Sequence, residues 1–126
     1  MQRKMRKYRN KKTTVDGIVF DSRKEALRYG ELSMLQRGGA ITELELQKEY
    51  ELIPAQYETI PRYGKNGQRL KDGKRCIEKP VKYKADFVYK ENGVEVVEDT
   101  KGVKTKDYII KRKLMLYVHG KRIREV

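Results

Sequence analysis

Apolar and polar positions change rhythm several times along this chain, and each change marks an element. Val15 and Ile18 flank Asp16-Gly17, whose residues accept the positive φ of a primed turn, so residues 13–20 are predicted to form a small hairpin. Ser22-Arg-Lys-Glu25 then matches a capping box. The Ser22 side chain is expected to accept from the Glu25 backbone N–H and the Glu25 carboxylate to reach back to Ser22, starting a helix that ends near Arg37 before Gly38-Gly39. From 41 to 54 the apolar positions Ile41, Leu44, Leu46, Tyr50, Leu52 and Ile53 alternate in part, which predicts one straight or bent strand. Residues 61–79 carry glycines among Arg62, Lys65, Arg69, Lys71, Lys74 and Arg75 and read as a long exposed loop or a loose hairpin. Two strands around Asn92-Gly93 follow. Residues 106–119 then place Ile110, Leu114, Tyr117 and Val118 on the apolar face of a second helix, and 122–126 close with a short strand. The principal elements run α, β, β, β, α, β, an α/β (α+β) arrangement.

The strands around Asn92-Gly93 carry candidate chemistry. A two-residue type I′ turn pairs Glu91 with Val94, so pairing follows a constant sum of residue numbers: Lys90 opposite Glu95, Val88 opposite Val97, and Asp86 opposite Asp99. Side chains alternate between faces with period two, so these six share one face, Lys101 joins them, and Glu98 faces away from Asp99. Lys90 and Glu95 are ordinary cross-strand complements, whereas two opposed carboxylates repel and need compensation. A hard divalent cation supplies it, because Mg²⁺ prefers oxygen donors, keeps several waters, and is held by one or two carboxylates plus substrate phosphate. Lys101 beside such an ion would orient or deprotonate a water, or neutralise charge on a pentacovalent phosphate. The competing reading is a surface charge lattice, in which Lys84, opposite Lys101, completes alternating salt bridges.

Charge narrows the choice of partner. With 31 Lys and Arg against 18 Asp and Glu, a net charge of +13 on 126 residues predicts a polyanion, and nucleic acid by default. Residues 1–12 form a basic arm, with Arg3, Lys4, Arg6 and Lys7 available to phosphate and Tyr8 to a base, or else a solubilising tail. Residues 13–126 suit one domain with a single modest core. The basic stretch 61–79 is either a DNA-backbone clamp or a solvated excursion, and Lys111, Arg112 and Lys113 either touch phosphate or keep the second helix soluble. Cys76 is the only cysteine, which excludes an internal disulfide and a cysteine-based zinc site and suggests an incidental surface thiol. His119, also single, is expected to satisfy carbonyls at its helix end. No apolar run is long enough to span a bilayer and no secretory segment precedes the domain, so a cytosolic protein is expected.

An acidic residue on the first helix, Asp on one strand and acid-x-Lys on the next, in this element order, resemble the PD-(D/E)xK nuclease superfamily. Phe20-Asp-Ser-Arg-Lys-Glu25, Lys84-Ala-Asp-Phe-Val88, Val97-Glu-Asp-Thr-Lys-Gly102 and Lys111-Arg-Lys-Leu114 further resemble a family of short phage and prophage nucleases, over residues 13–126. The resemblance implies a restriction-endonuclease-like core, a mixed β-sheet flanked by two helices. It also implies that Asp86, Asp99 and the Thr100 backbone carbonyl bind Mg²⁺, which Mn²⁺ can replace. Lys101 then aids the attacking water and Glu25 adds a further carboxylate. Ala85 stands where the motif's name has Pro, and Asp99 where Glu is commoner; neither change removes an oxygen ligand. The implied activity is Mg²⁺-dependent hydrolysis of DNA in phage or prophage recombination or replication, inside a bacterial host. Resolution of four-way junctions would need two symmetric cuts and hence a homodimer. Cleavage of linear, flapped or single-stranded DNA, and a non-enzymatic basic nucleic-acid-binding protein, are the rival readings.

Overall fold

The computed structural model describes residues 11–126, so Arg3, Lys4, Arg6, Lys7 and Tyr8 lie outside the described residues. The first hairpin pairs β1 (Thr13–Val15) with β2 (Ile18–Phe20) around Asp16 and Gly17, at φ +52° and +75°, as the turn dipeptide requires. Helix α1 (Arg23–Arg37) starts at Ser22, whose hydroxyl accepts from the Glu25 N–H at 3.1 Å. Only this half of the predicted capping box forms, because the Glu25 carboxylate bonds Gln47 instead. Strands β3 (Thr42–Ile53), β4 (Gln56–Tyr63), β5 (Arg69–Glu78), β6 (Val81–Glu91) and β7 (Val94–Asp99) follow, then α2 (Lys106–His119) and β8 (Ile123–Glu125).

The sheet is mixed. Its order is β3-β6-β7-β8, with β6 and β7 antiparallel and β7 and β8 parallel; β1-β2 and β4-β5 are separate two-stranded sheets. The sheet strands and helices alone therefore run α1, β3, β6, β7, α2, β8, with two hairpins interposed. One of them decides residues 61–79 for the loose hairpin and against the long loop: β4 pairs with β5 from Gln56↔Glu78 to Tyr63↔Arg69, and only residues 64–68 turn. Glycines and cations marked that stretch as loop because an exposed hairpin has no apolar face to reveal its strand period.

Contacts divide the chain into two compact units: residues 11–48 with Ala85–Lys104 and Arg122–Val126, and Glu49–Lys84 with Thr105–Lys121. The first has a core of Phe20, Ala26, Leu32, Ile41, Phe87 and Tyr89, with the Phe20 ring 5.1 Å from Tyr29 and 6.5 Å from Phe87. Burying each of the larger side chains is worth roughly 1.5–3 kcal/mol, so the strand just after Asp86 and the helix carrying Glu25 are firmly held.

In the second unit Tyr50, Leu52, Tyr83, Tyr108 and Met115 are buried. Helix α2 presents Tyr108 and Met115 inward, seven residues apart, while Ile110 and Tyr117 stand exposed; the predicted apolar face is corrected by a rotation about the helix axis. The expected helix-end role of His119 is corrected too. Its Nε2 lies 2.7 Å from the Glu51 carbonyl, which can only accept, so Nε2–H donates to β3 rather than to its own helix. Gly120 ends α2 instead, in the left-handed conformation at φ +66°. No helix among the described residues is long and apolar enough to cross a membrane.

Candidate active site

Pairing between β6 and β7 keeps the predicted constant sum through Glu91↔Val94, Lys90↔Glu95, Tyr89↔Val96, Val88↔Val97 and Phe87↔Glu98. Asn92 and Gly93, at φ +53° and +76°, supply the primed turn. Asp86 and Asp99 lie one step past the last of these pairs. There, side chains replace the ladder: Asp86 Oδ2 accepts from the Thr100 N–H at 2.9 Å and from the Thr100 hydroxyl at 2.8 Å. Lys101 Nζ stands 3.1 Å from Asp99 Oδ2. The Lys101 carbonyl accepts from Lys24 Nζ at 3.3 Å, which ties the end of this segment to α1.

Glu25 comes to the same place from α1. It is 7 % exposed, an unusual burial for a carboxylate, and its Oε1 accepts from Gln47 Nε2 at 3.1 Å. Burial raises its pKa, followed by the negative fields of Asp86, Asp21 and Asp99; Lys101 opposes them, and the result is a carboxyl pushed up to about 7. The charges of Asp86, Asp99 and Lys101 thus all act at Glu25. Of the competing lattice the Lys101–Asp99 half forms, whereas Lys84 makes no ion pair among the described residues. A lattice does form at the opposite end of the hairpin, where Lys90 pairs with Glu43 at 2.9 Å and Lys48 with Glu95 at 3.1 Å, in place of the expected Lys90–Glu95 pair.

These donors suit a hard cation. Asp86, Asp99 and Glu25 offer carboxylate oxygens, and the Thr100 carbonyl follows Asp99 directly in the chain. Among the described residues no group of three histidine, cysteine, aspartate or glutamate side chains is placed to hold a metal ion. A Mg²⁺ site made of two carboxylates, a carbonyl and waters does not need one.

Two features escaped the sequence reading. Gln47 sits inside β3 with φ +55°, a left-handed backbone that costs a non-glycine residue on the order of 1 kcal/mol, and from there its amide meets Glu25. A lone Gln in an alternating strand carries no signal of this. The other feature is Glu98, fully buried and turned away from Asp99 as the alternation required. Arg28 grips it with two bonds, Nε to Oε1 at 2.8 Å and Nη2 to Oε2 at 2.7 Å; the Tyr89 hydroxyl also donates to it, and Arg124 donates to Tyr89 at 3.0 Å. Hydrogen bonding to Glu98 holds the Arg28 pKa above its ordinary value, and burial, then Glu98, pushes the Tyr89 phenol up to about 12. Helix α1 therefore delivers Glu25 to one carboxylate cluster and Arg28 to another.

A family model described as protein of unknown function (DUF1064) matches residues 5–124. The chain belongs to the DUF1064 family. No curated protein and no solved structure matches it. The matched span of the DUF1064 chain includes Glu25, Asp86, Asp99, Thr100 and Lys101.

The Glu25 shift has a measurable consequence. Its carboxyl ionises near 4.5 in the unfolded chain but near 7 in the folded one, so the folded state holds the proton more tightly. The stabilisation is present below the unfolded value and is lost as pH rises through 7, a change of about 3 kcal/mol in metal-free protein. Urea unfolding in EDTA is expected to show this loss between about pH 5 and about pH 8, and Glu25→Gln to remove that component. Equal pH dependence in wild type and variant would refute the shift.

Proposed function

We propose that this protein is a metal-dependent nuclease that hydrolyses DNA phosphodiesters at Asp86, Asp99, Lys101 and Glu25. The observation that carries the reading is the convergence of Asp86, Asp99 and buried Glu25 in one electrostatic field, with the Lys101 ammonium on Asp99. Hydrogen bonding alone does not require so much like charge in one place, whereas phosphoryl chemistry does. The order α1, β3, β6, β7, α2, β8 supports the restriction-endonuclease-like core implied by the motif resemblance.

Asp86, Asp99 and the Thr100 carbonyl would hold Mg²⁺ or Mn²⁺, with Glu25 as a further ligand, and the ion would supply Lewis-acid charge at the phosphate. Thr100 fixes the Asp86 carboxylate through two hydrogen bonds, leaving Oδ1 directed by that clamp. Lys101 places a cation beside Asp99, where it holds the attacking water in line or neutralises charge gathering on the phosphoryl oxygens. Gln47 holds one oxygen of Glu25 and orients the other. Phosphate binding falls to the exposed cations Arg62, Lys65, Lys71 and Lys74, with Arg69 and Arg75 beside them and Lys111 and Lys113 on α2. We place the protein in the bacterial cytoplasm and in phage or prophage DNA metabolism, with a homodimer if its substrate is a four-way junction.

The test is incubation of the full chain with labelled linear, single-stranded, flapped and four-way-junction DNA in Mg²⁺, Mn²⁺ or EDTA. Metal-dependent cuts are the expected result, and paired symmetric cuts confined to the junction would identify a resolvase. Tight binding without cleavage in any metal would favour the basic binding protein and reject the nuclease.

A further inference from the structure

Nothing in the carboxylate cluster accounts for the β4–β5 hairpin. None of its strand residues is buried, and only Glu58, Ile60 and Gly73 are even half-buried. Strands of eight and ten residues extend roughly 25–30 Å at 3.3 Å per residue. A bare two-stranded ribbon is at best marginally stable in water, so one exposed on both faces calls for an occupant.

The register separates the two faces. Tyr57, Thr59, Lys74 and Cys76 share one, since Tyr57 pairs with Cys76 and Thr59 with Lys74. Tyr63 pairs with Arg69, whose guanidinium lies 5.6 Å from the ring centroid. On the other face the Arg62 side chain crosses Gly73, where an added Cβ would meet Arg62 Cδ at 2.9 Å, beside Ile60. Two cations are spent inside the ribbon, Arg75 on Glu58 and Arg69 on Asp72 at 2.6 Å. Arg62, Lys65, Lys71 and Lys74 make no ion pair among the described residues. Lys65 lies in the turn, which is closed by Gly64 N–H to the Gln68 carbonyl at 2.9 Å.

We propose that the β4–β5 hairpin is a DNA-binding ribbon that inserts edge-on into the major groove of a duplex. An element lying on a flat surface needs one polar face and buries the other. A ribbon between two phosphate walls needs cations on both faces and at its tip, where Lys74, Arg62 and Lys65 stand. The major groove, about 12 Å wide and about 8.5 Å deep, admits a two-stranded ribbon. Charge favours a polyanion over self-association: residues 56–78 carry six Lys and Arg against three acids, so two copies would repel. The inference rests on the nucleic-acid half of the proposed function and not on cleavage.

The experiment uses the full chain carrying Asp99→Ala, in EDTA, so that an absent nuclease activity leaves it untouched. Binding to a duplex longer than two helical turns is measured by anisotropy across a salt series, with and without Lys65→Gln, Lys71→Gln and Lys74→Gln combined. Guanine N7 and adenine N3 methylation report the major and minor grooves. The triple variant is expected to bind roughly 100-fold more weakly near 0.15 M salt, with the salt slope reduced by about 2.7, and to lose N7 protection. Unchanged affinity and slope would overturn the proposal. So would protection confined to adenine N3, an equal loss on single-stranded DNA of the same length, or a loss traced by sedimentation to dissociation of a dimer through this hairpin.

Discussion

Replacing Asp99 by Ala is expected to lower metal-dependent DNA cleavage at least about 1,000-fold while DNA binding in EDTA stays within about threefold of wild type or tightens. The carboxylate is 1 % exposed, carries the Lys101 ion pair, and adds to the field that raises Glu25. Removing it takes away an oxygen donor and the partner that positions the Lys101 ammonium. DNA affinity moves the other way if it moves at all, because the chain's charge becomes one unit more positive. Asp86→Asn is expected to match this loss while keeping the shape of the Thr100 clamp, and to abolish Mg²⁺ uptake in calorimetry. Cleavage unchanged by both variants would remove the site. Cleavage and binding lost in parallel would show that Asp99 holds the fold rather than the reaction, a possibility that thermal unfolding of the variant decides.

Arg28→Ala is expected to destabilise the protein by about 3–5 kcal/mol, because it leaves Glu98 charged and enclosed. Glu98 has no exposed surface, and two of its bonds come from Arg28 at 2.7 and 2.8 Å. The remaining donor, the Tyr89 hydroxyl, does not neutralise a carboxylate. Against a typical total stability of about 5–15 kcal/mol the loss is large, and it appears in the urea midpoint. Glu98→Gln is expected to cost less, since a neutral amide keeps the shape and its one oxygen still accepts from Arg28 Nη2 and Tyr89, with only the Arg28 Nε bond lost. A midpoint for Arg28→Ala within about 1 kcal/mol of wild type would show that water reaches Glu98 and that the pair is not structural. Because Asp99 lies next to Glu98 on the opposite face of β7, the two variants separate folding from chemistry one residue apart.

A nuclease that uses Glu25 as a ligand also has a reason for the strained Gln47. Holding a buried carboxylate near an ordinary pH of ionisation leaves it ready to lose its proton when a cation arrives, and the hydrogen bond from Gln47 fixes its orientation beforehand. The left-handed turn of the strand at Gln47 is then a cost accepted for that orientation.

By itself the sequence determined what short-range chemistry encodes. Asn92-Gly93 set the turn and, through it, the pairing sum from Glu91↔Val94 to Phe87↔Glu98, because a two-residue loop permits one register. Ser22 and Gly120 bounded the helices, because side-chain caps and left-handed glycines act within a few residues. The shared facing of Asp99 and Lys101, seen in their ion pair, was legible because strand alternation carries facing along the chain. Only the tertiary structure decided the rest. Gln47 meets Glu25 across 22 residues and Arg28 meets Glu98 across 70, separations over which no local pattern persists. The inward face of α2 was settled by the packing of Tyr83 against Tyr108, which a helix with apolar residues on several sides does not choose alone. The choice between loop and hairpin at residues 61–79, and the start of β4 at Gln56, stayed open for the opposite reason: with no buried face, these strands leave no alternation to read.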